Sequence, residues 1–463
     1  MIPKRLDPIL AADSPTRQLG KIFEAAGHEL YLVGGSVRDA FLDAPTKDLD
    51  FATDARPDRV LELLDGWADS IFRIGEEFGT IGAIKHGEDY EITTFRSDVY
   101  HEDSRKPRVE FSDDIETDLS RRDFTVNAMA ILVSGAAEPQ MIDPFHGLAD
   151  LASRVLRTPI DPQVSFADDP LRMLRLYRFV ASLGFTPDAA AEAAVAEMRD
   201  RLSIVSAERI RDELSRLLVG DYVADGLWGL VHSRLAEEFV PELAALELEQ
   251  DPMHHHKDVL AHTIAVVAKT SPNETLRLAA LFHDVGKPAT REFGANGVSF
   301  HHHEVVGARM ARERMRGLRY PKDRVKDVSQ LVFLHMRPHT FKMGWTDSAV
   351  RRYVRDAGEL LPLLNELVRC DVTTRSRKRA NAISRGIDRL EERIDTLRQQ
   401  EELDSLRPPI DGNDVMKHLG LSPGREVGVA MKMLTEHRID HGPFDVDEAF
   451  RLLDSWWNER GGS

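Results

Sequence analysis

A single cysteine, Cys370, occurs in 463 residues. No disulfide can form within the chain, which agrees with a reducing compartment. No stretch approaches the ~20 apolar residues that span a bilayer. The opening MIPKRLDPILAADSPTRQLG has no apolar signal core, so a cytoplasmic protein without a membrane partner is expected. Positive charge is also short: 61 Lys and Arg stand against 78 Asp and Glu, for a net charge of −17. That is unusual for an RNA-binding protein, but binding depends on local patches rather than on the total. Two segments are locally basic, ARMARERMRGLRYPKDRVK (308–326) and TTRSRKRA (373–380). Internal repeats, low-complexity tracts and heptad arrays are absent from the sequence.

The length suggests about three domains at ~150 residues each, and a hydrophobic fraction of 42% is ordinary for a globular protein. Ser14 before Pro15 reads as the cap of a helical lead-in. The runs ELYLVGG, DLDFAT, TIGAIKH, YEITTFR and MAILV predict a sheet of about five strands. Beyond residue 150 the β-like runs stop, and Ala-, Leu- and Arg-rich helical stretches follow. The expected fold is therefore α+β: a head over 1–150, then a helical neck over 151–245. Composition breaks near 245–257 and 401–412 bound a further region, 246–400, and a helical tail, 401–463.

The most specific chemistry lies in GGSVRD (34–39) followed by KDLDFAT (47–53). Side chains alternate along a strand, so Asp48 and Asp50 point the same way. Two adjacent carboxylates call for a hard cation such as Mg²⁺, with phosphate and water completing its shell. Gly34, Gly35 and Ser36 would let backbone N–H groups approach a triphosphate. Arg38 would neutralise it, or pair with Asp39 or Asp43.

This arrangement resembles the bacterial and eukaryotic class of CCA-adding tRNA nucleotidyltransferases and their poly(A) polymerase relatives. Further segments match in the family's order: Glu91 in YEITTFR as the third carboxylate, RRDFTVNAMA (121–130) as the ribose-recognition segment, DPFHGLADL (143–151) as the hinge, DDPLRMLRLYRF (168–179) as the nucleotide-selecting segment and SAERIRDEL (206–214) as its brace. The resemblance implies metal binding by Asp48, Asp50 and Glu91. It also implies nucleotide binding by Gly34, Gly35, Ser36, Arg38, Arg122, Asp123, Asn127, Asp169, Arg172, Arg175 and Arg178, with Arg121 facing phosphate or orienting the site. Asp168 stands where the family has Glu. The polar stretch 97–120 resembles the family's loop for the final adenosine step.

Asp169 and Arg172, three residues apart, would share a helix face. A carboxylate accepts and a guanidinium donates, which matches the amino-plus-acceptor edges of cytosine and adenine but not those of uracil or guanine. The implied partners are tRNA, CTP and ATP. A poly(A) polymerase is the nearest rival, although IGEEFGTIG (74–82) lacks the string usual for that branch, and A-only addition is another.

A second constellation comprises AHTIAVV (261–267), LRLAALFHDVGKP (276–288), FHHHE (300–304), LVFLHM (331–336) and RCDV (369–372). It resembles the HD superfamily of metal-dependent phosphohydrolases. The matching ligands are His262, His283, Asp284 and Asp371, for a divalent metal that sequence does not identify. His302, His303 and His335 would serve a second ion, and His254–His256 read as a polar boundary. An HD nucleotide phosphohydrolase with a binding head is the rival from another class.

Overall fold

The alternation of YEITTFR becomes a strand buried on one face in the structure. This is a computed structural model that describes residues 2–45, 49–73, 79–99, 108–135, 138–248, 258–294, 297–372, 377–401 and 406–460. Asp48, residues 74–78 of IGEEFGTIG, residues 100–107 of the polar loop, His254–His256 and residues 373–376 of the second basic segment lie outside the described residues. The chain divides into two compact units, Met1–Pro241 and Glu242–Ser463.

The strands of the first unit are β1 (Leu30–Val33), β2 (Leu49–Thr53), β3 (Ser70–Phe72), β4 (Thr80–Lys85), β5 (Glu88–Thr94), the hairpin β6 (Arg96–Val99) and β7 (Arg108–Phe111), β8 (Ala130–Leu132) and β9 (Gln140–Ile142). One sheet has seven strands in the order β3-β4-β5-β2-β1-β8-β9. It exceeds the expected number because β3 and β9 add themselves at the two edges. Each is three residues long, too short to show a period of two. The pairing of β2 with β5 is parallel, and it sets Asp50 directly opposite Glu91. Leu49, Phe51, Tyr90 and Ile92 are buried on the other face, where the rings of Phe51 and Tyr90 stack at 5.7 Å.

The helices of this unit that matter here are α1 (Pro15–Ala25), α2 (Gly35–Phe41), α3 (Ile115–Ser120), α4 (Pro162–Asp168), α5 (Leu171–Leu183) and α6 (Ala207–Leu218). Ser14 caps α1 by accepting from the Arg17 N–H. Tyr31, Val33, Ala52 and Ala130 from the sheet, with Phe95 and Ala128 from the segments beside it, meet Ile115 and Leu119 of α3 in one apolar cluster. The β structure does not end at residue 150: β10 (Val155–Leu156) pairs in parallel with β11 (Thr186–Pro187).

The second unit contains α7 (Val259–Lys269), α8 (Glu274–Phe282), the hairpin β12 (Arg291–Gly294) and β13 (Gly297–Phe300), α9 (His303–Gly317), α10 (Lys322–Leu334) and α11 (Leu361–Cys370). Last come α12 (Arg377–Glu401), α13 (Gly412–Leu419), α14 (Arg425–His441) and α15 (Val446–Glu459). Ile410, Val415, Leu434 and Leu453 bury a separate small core there. Among the described residues, no helix is long and apolar enough to cross a membrane.

The segment DPFHGLADL seats against RRDFTVNAMA by close backbone approach. A Cβ added at Gly147 would lie 2.2 Å from the Thr125 carbonyl oxygen and 2.8 Å from Met129 Cγ. Thr125 also donates its hydroxyl to Asp150 at 2.7 Å. Gly147→Ala is expected to cost about 2 kcal/mol by overpacking. That should lower the midpoint of thermal unfolding by roughly 4–8 °C, read by circular dichroism.

Candidate active site and metal centre

The β1–α2 turn begins at Gly34, whose φ of 73° favours glycine. A Cβ there would sit 3.0 Å from an Arg122 nitrogen and 3.7 Å from Asp50 Oδ2. Glycine thus lets a guanidinium and a carboxylate converge over the turn. Glu91 stands beside Asp50 by strand register and is solvent-exposed. Ser36 is buried and donates its hydroxyl to the Val33 carbonyl at 2.9 Å. Its side chain therefore shapes the turn rather than facing a phosphate. Arg38 pairs with Asp39, not with Asp43, which binds Arg5.

Gly34, Gly35, Arg38 and Asp50 line a cavity of about 540 Å³ together with Arg121, Arg122, Asp123, Asn127, Asp169, Arg172, Arg175, Arg178, Phe179 and Arg216. One continuous chain of polar contacts runs along it. Arg38 donates to Asn127 Oδ1 at 2.6 Å, and Asn127 Nδ2 donates to Asp123 Oδ1 at 2.8 Å. Arg175 donates to Asp123 Oδ2 at 2.5 Å and to Glu213 Oε1 at 3.1 Å. Arg178 then lies 2.8 Å from Glu213 Oε2. Burial opposes the charge on Asp123, but Arg175, Asn127 and Arg178 hold its carboxyl well below the usual range. Both of its oxygens are engaged within the protein. Asp118, also buried, anchors Arg121 at 2.8 Å and Arg122 at 3.1 Å. Four segments that are far apart in sequence, GGSVRD, RRDFTVNA, DDPLRMLRLYRF and SAERIRDEL, thereby meet in one site.

Asp169 and Arg172 line the same cavity, but not as two positions on one helix face. Asp169 lies between α4 and α5 in extended conformation, and its Oδ1 accepts from the Leu171 N–H at 3.1 Å. The aspartate breaks the helix because it satisfies a backbone donor at the start of α5. Its Oδ2 accepts from Arg209 at 2.7 Å. Arg172 donates to Ser165 Oγ at 2.8 Å and to the Arg121 carbonyl. The two side chains thus share a cavity wall without pairing with each other.

In the second unit, His262, His283 and Asp284 present ligand atoms within 4.8 Å of one another, and so do Asp284, His303 and His335. Asp371 closes the first group, 2.9 Å from His262 Nε2. His283, His303 and His335 each place Nδ1 against a carbonyl three residues back, Ala280, Phe300 and Val332, at 2.8, 2.9 and 2.6 Å. Those contacts assign the proton to Nδ1 and leave Nε2 as a lone-pair donor aimed inward. Nε2 of His303 and of His335 is buried with no hydrogen-bond partner. The donor set therefore fits divalent cations. Burial opposes charge on His283, yet Asp284 and Asp371 raise its pKa to about 10, so the spot favours positive charge. Burial and the neighbouring His283 push His335 down to about 3.

His302 does not join this centre. It caps α9 with φ of 61°, and its side chain is 82% exposed. Sequence reasoning missed His339, 3.3 Å from Asp371 Oδ2, and Lys287, 2.7 Å from Asp284 Oδ2. Glu213, Arg209, Asp118 and Phe179 were also not singled out. Glu213 had a signal: an acid on the stripe of Ile210, Leu214 and Leu217, facing the core.

Residues 30–157 match the Poly A polymerase head domain, residues 184–247 the segment described as "Probable RNA and SrmB- binding site of polymerase A", and residues 246–375 the HD domain. It is 42% identical over 219 residues to the CCA-adding enzyme of Bacillus subtilis, covering 47% of this chain and 53% of that one. With the CCA-adding enzyme of Lacticaseibacillus paracasei it shares 41% over 228 residues, 49% and 55% of the two chains. The chain spans about half the length of the curated relatives it matches. Among solved structures, the Bacillus stearothermophilus CCA-adding enzyme in complex with CTP superposes with a TM-score of 0.67 at 22% identity, covering 99% of each chain. The Thermotoga maritima CCA-adding enzyme complexed with tRNA does so at 0.60 and 18%, covering 98% and 97%. At such identities the likeness shows the fold.

The centre's geometry makes a contrast between two histidines. Protein loaded with Mn²⁺ or Ni²⁺ and dialysed should retain the metal, measured by elemental analysis. His283→Ala should weaken retention at least about tenfold, whereas His302→Ala should leave it unchanged.

Proposed function

We propose that this chain is a CCA-adding tRNA nucleotidyltransferase that transfers CMP, CMP and AMP from CTP and ATP to tRNA 3′ ends and releases pyrophosphate. The observation that carries the reading is the chain of contacts Arg38–Asn127–Asp123–Arg175–Glu213–Arg178. It joins α2, which follows the glycine turn, to α5 and α6 around one cationic cavity. The names of the relatives and the nucleotide and tRNA complexes of the structural neighbours support it. The proposed division of labour is nucleotide chemistry in the head (1–150) and neck (151–245), metal chemistry in the HD region (246–400) and tRNA contact by the tail (401–463). The cytoplasm, where tRNA and nucleoside triphosphates occur, is the proposed location.

Asp50, Asp48 and Glu91 would hold a divalent cation, proposed to be Mg²⁺, which supplies positive charge to the triphosphate and the attacking 3′ hydroxyl. Phosphoryl transfer depends on positioning and charge neutralisation. Gly34 and Gly35 admit the triphosphate to the backbone of the turn. Breaking the α–β anhydride leaves charge on pyrophosphate, and Arg38, Arg175 and Arg178 offset it. Asp169 accepts from the amino group of cytosine or adenine while Arg172 donates to the adjacent ring acceptor. Uracil and guanine would set a carbonyl against Asp169, a mismatch costing several kcal/mol once desolvated.

A second activity, hydrolysis of phosphate esters on nucleotides or RNA ends, is the proposed role of the HD region. Its support is the donor set around Asp284.

The test offers tRNA ending at the discriminator base, at C, at CC or at CCA, with each nucleotide separately. CMP should enter the first two, AMP the third and nothing the fourth. Continued AMP addition to CCA ends would establish a poly(A) polymerase instead, and AMP addition without CMP an A-only enzyme. Asp50→Ala should lower turnover at least ~10³-fold with tRNA binding retained. Asp169→Asn should raise UTP and GTP incorporation relative to CTP and ATP.

A further inference from the structure

Seven arginines and one aromatic ring, that of Phe179, line the head cavity. The Arg178 guanidinium carbon lies 3.6 Å from the centroid of that ring, with those of Arg38 at 5.2 Å and Arg175 at 5.5 Å. Phe124 meets the ring edge-on at 5.6 Å and 86°. With 3% of its surface exposed, the ring has no open face for a base to stack on.

Asp39 pairs with Arg38, Asp118 with Arg121 and Arg122, and Asp123 with Arg175. Glu213 alone serves three of them: Arg175 at 3.1 Å, Arg178 at 2.8 Å and Arg216 at 3.7 Å. Although Arg178 Nε and Glu213 Oε2 are that close, neither has a hydrogen-bond partner, so their alignment is poor. A hydrogen bond at Nε thus does not orient this guanidinium. The ring face does, through the attraction between a cation and a π system. Another carboxylate would orient it equally well but would cancel the charge that a triphosphate needs. Burial and the adjacent Arg175 lower the Arg178 pKa only to about 10, so the group stays charged at neutral pH.

We propose that Phe179 is a positioning residue for the triphosphate, holding Arg178 and bordering Arg38 and Arg175 without neutralising them. The proposal rests on the nucleotidyltransferase reading and extends it to a residue that touches neither base nor metal.

The experiment uses the full chain with Phe179→Leu, Phe179→Met and Phe179→Tyr. Folding is checked by circular dichroism, binding of CTP and ATP by direct titration, and KM and kcat on tRNA acceptors. Leu and Met should weaken both nucleotides about tenfold. The loss should appear in KM more than in kcat, with the preference for C and A over U and G unchanged. Tyr keeps a ring face and should stay within about threefold of wild type. Folded Leu or Met variants with wild-type affinity would overturn the proposal, as would a Tyr variant as defective as Leu. Failure of all three variants to fold would make the ring a packing residue and also overturn it. Wild-type protein that binds CTP and ATP but extends no tRNA would instead defeat the functional reading, while the titrations would still decide the role of the ring.

Discussion

Like charges must be held apart or compensated, and the first unit gathers Arg38, Arg121, Arg122, Arg172, Arg175, Arg178 and Arg216 around one cavity. Three buried carboxylates make this tolerable. Asp118 anchors Arg121 and Arg122, Asp123 anchors Arg175, and Glu213 anchors Arg175 and lies beside Arg178. The dependence is mutual, because an acid that deep stays ionised only beside its arginines. Burial opposes charge on Asp118 and Asp123, and the guanidinium groups nevertheless keep both carboxyls below their usual range. Groups shifted in that direction stabilise the fold above the ordinary carboxylate pKa, and the contribution fades as pH falls through their lowered values. Stability and the proposed nucleotide binding therefore draw on the same side chains. Removing one member of such a buried pair strands the other at a cost of about 3–5 kcal/mol.

Much of the head was legible because its signals are local. Short β-type runs marked the five inner strands of the sheet, YEITTFR by its alternation, and glycines next to paired acids marked the β1–α2 turn. What escaped depends on contacts between distant segments. The edge strands β3 and β9 are defined by their neighbours rather than by their own pattern. The spacing of Asp169 and Arg172 suggested one helix face, but Asp169 caps the start of α5 and so stands outside both helices. FHHHE offered three histidines that spacing cannot rank. Only the turn into α9 decides that His303 faces inward and His302 faces solvent.

The two candidate metal-ligand groups differ in donor chemistry and in how they are built. In the head, carboxylates sit on neighbouring strands and suit a hard ion. In the second unit, His283, His303 and His335 stand at helix ends, each held by the carbonyl three residues back, and nitrogen with oxygen suits transition metals. Asp284 stands in both triads there, with Oδ2 3.2 Å from His283 and Oδ1 3.5 Å from His303. Any change at Asp284 is consequently felt on both sides of that centre.

The pairing of Asp50 with Glu91 is a matter of register alone. Nothing near Glu91 in sequence tells it where Asp50 is. Tyr90 and Ile92 bury themselves beside Leu49 and Phe51, and the acids arrive opposite each other as a by-product. Sliding β5 by one residue would turn Glu91 into the core and Ile92 out to solvent, at the expense of the whole apolar face. The alignment of these acids is thus proofread by hydrophobic residues on the opposite face of the sheet. A chain that has not completed its sheet has no partly formed version of this acid pair: it is either in register and assembled, or absent.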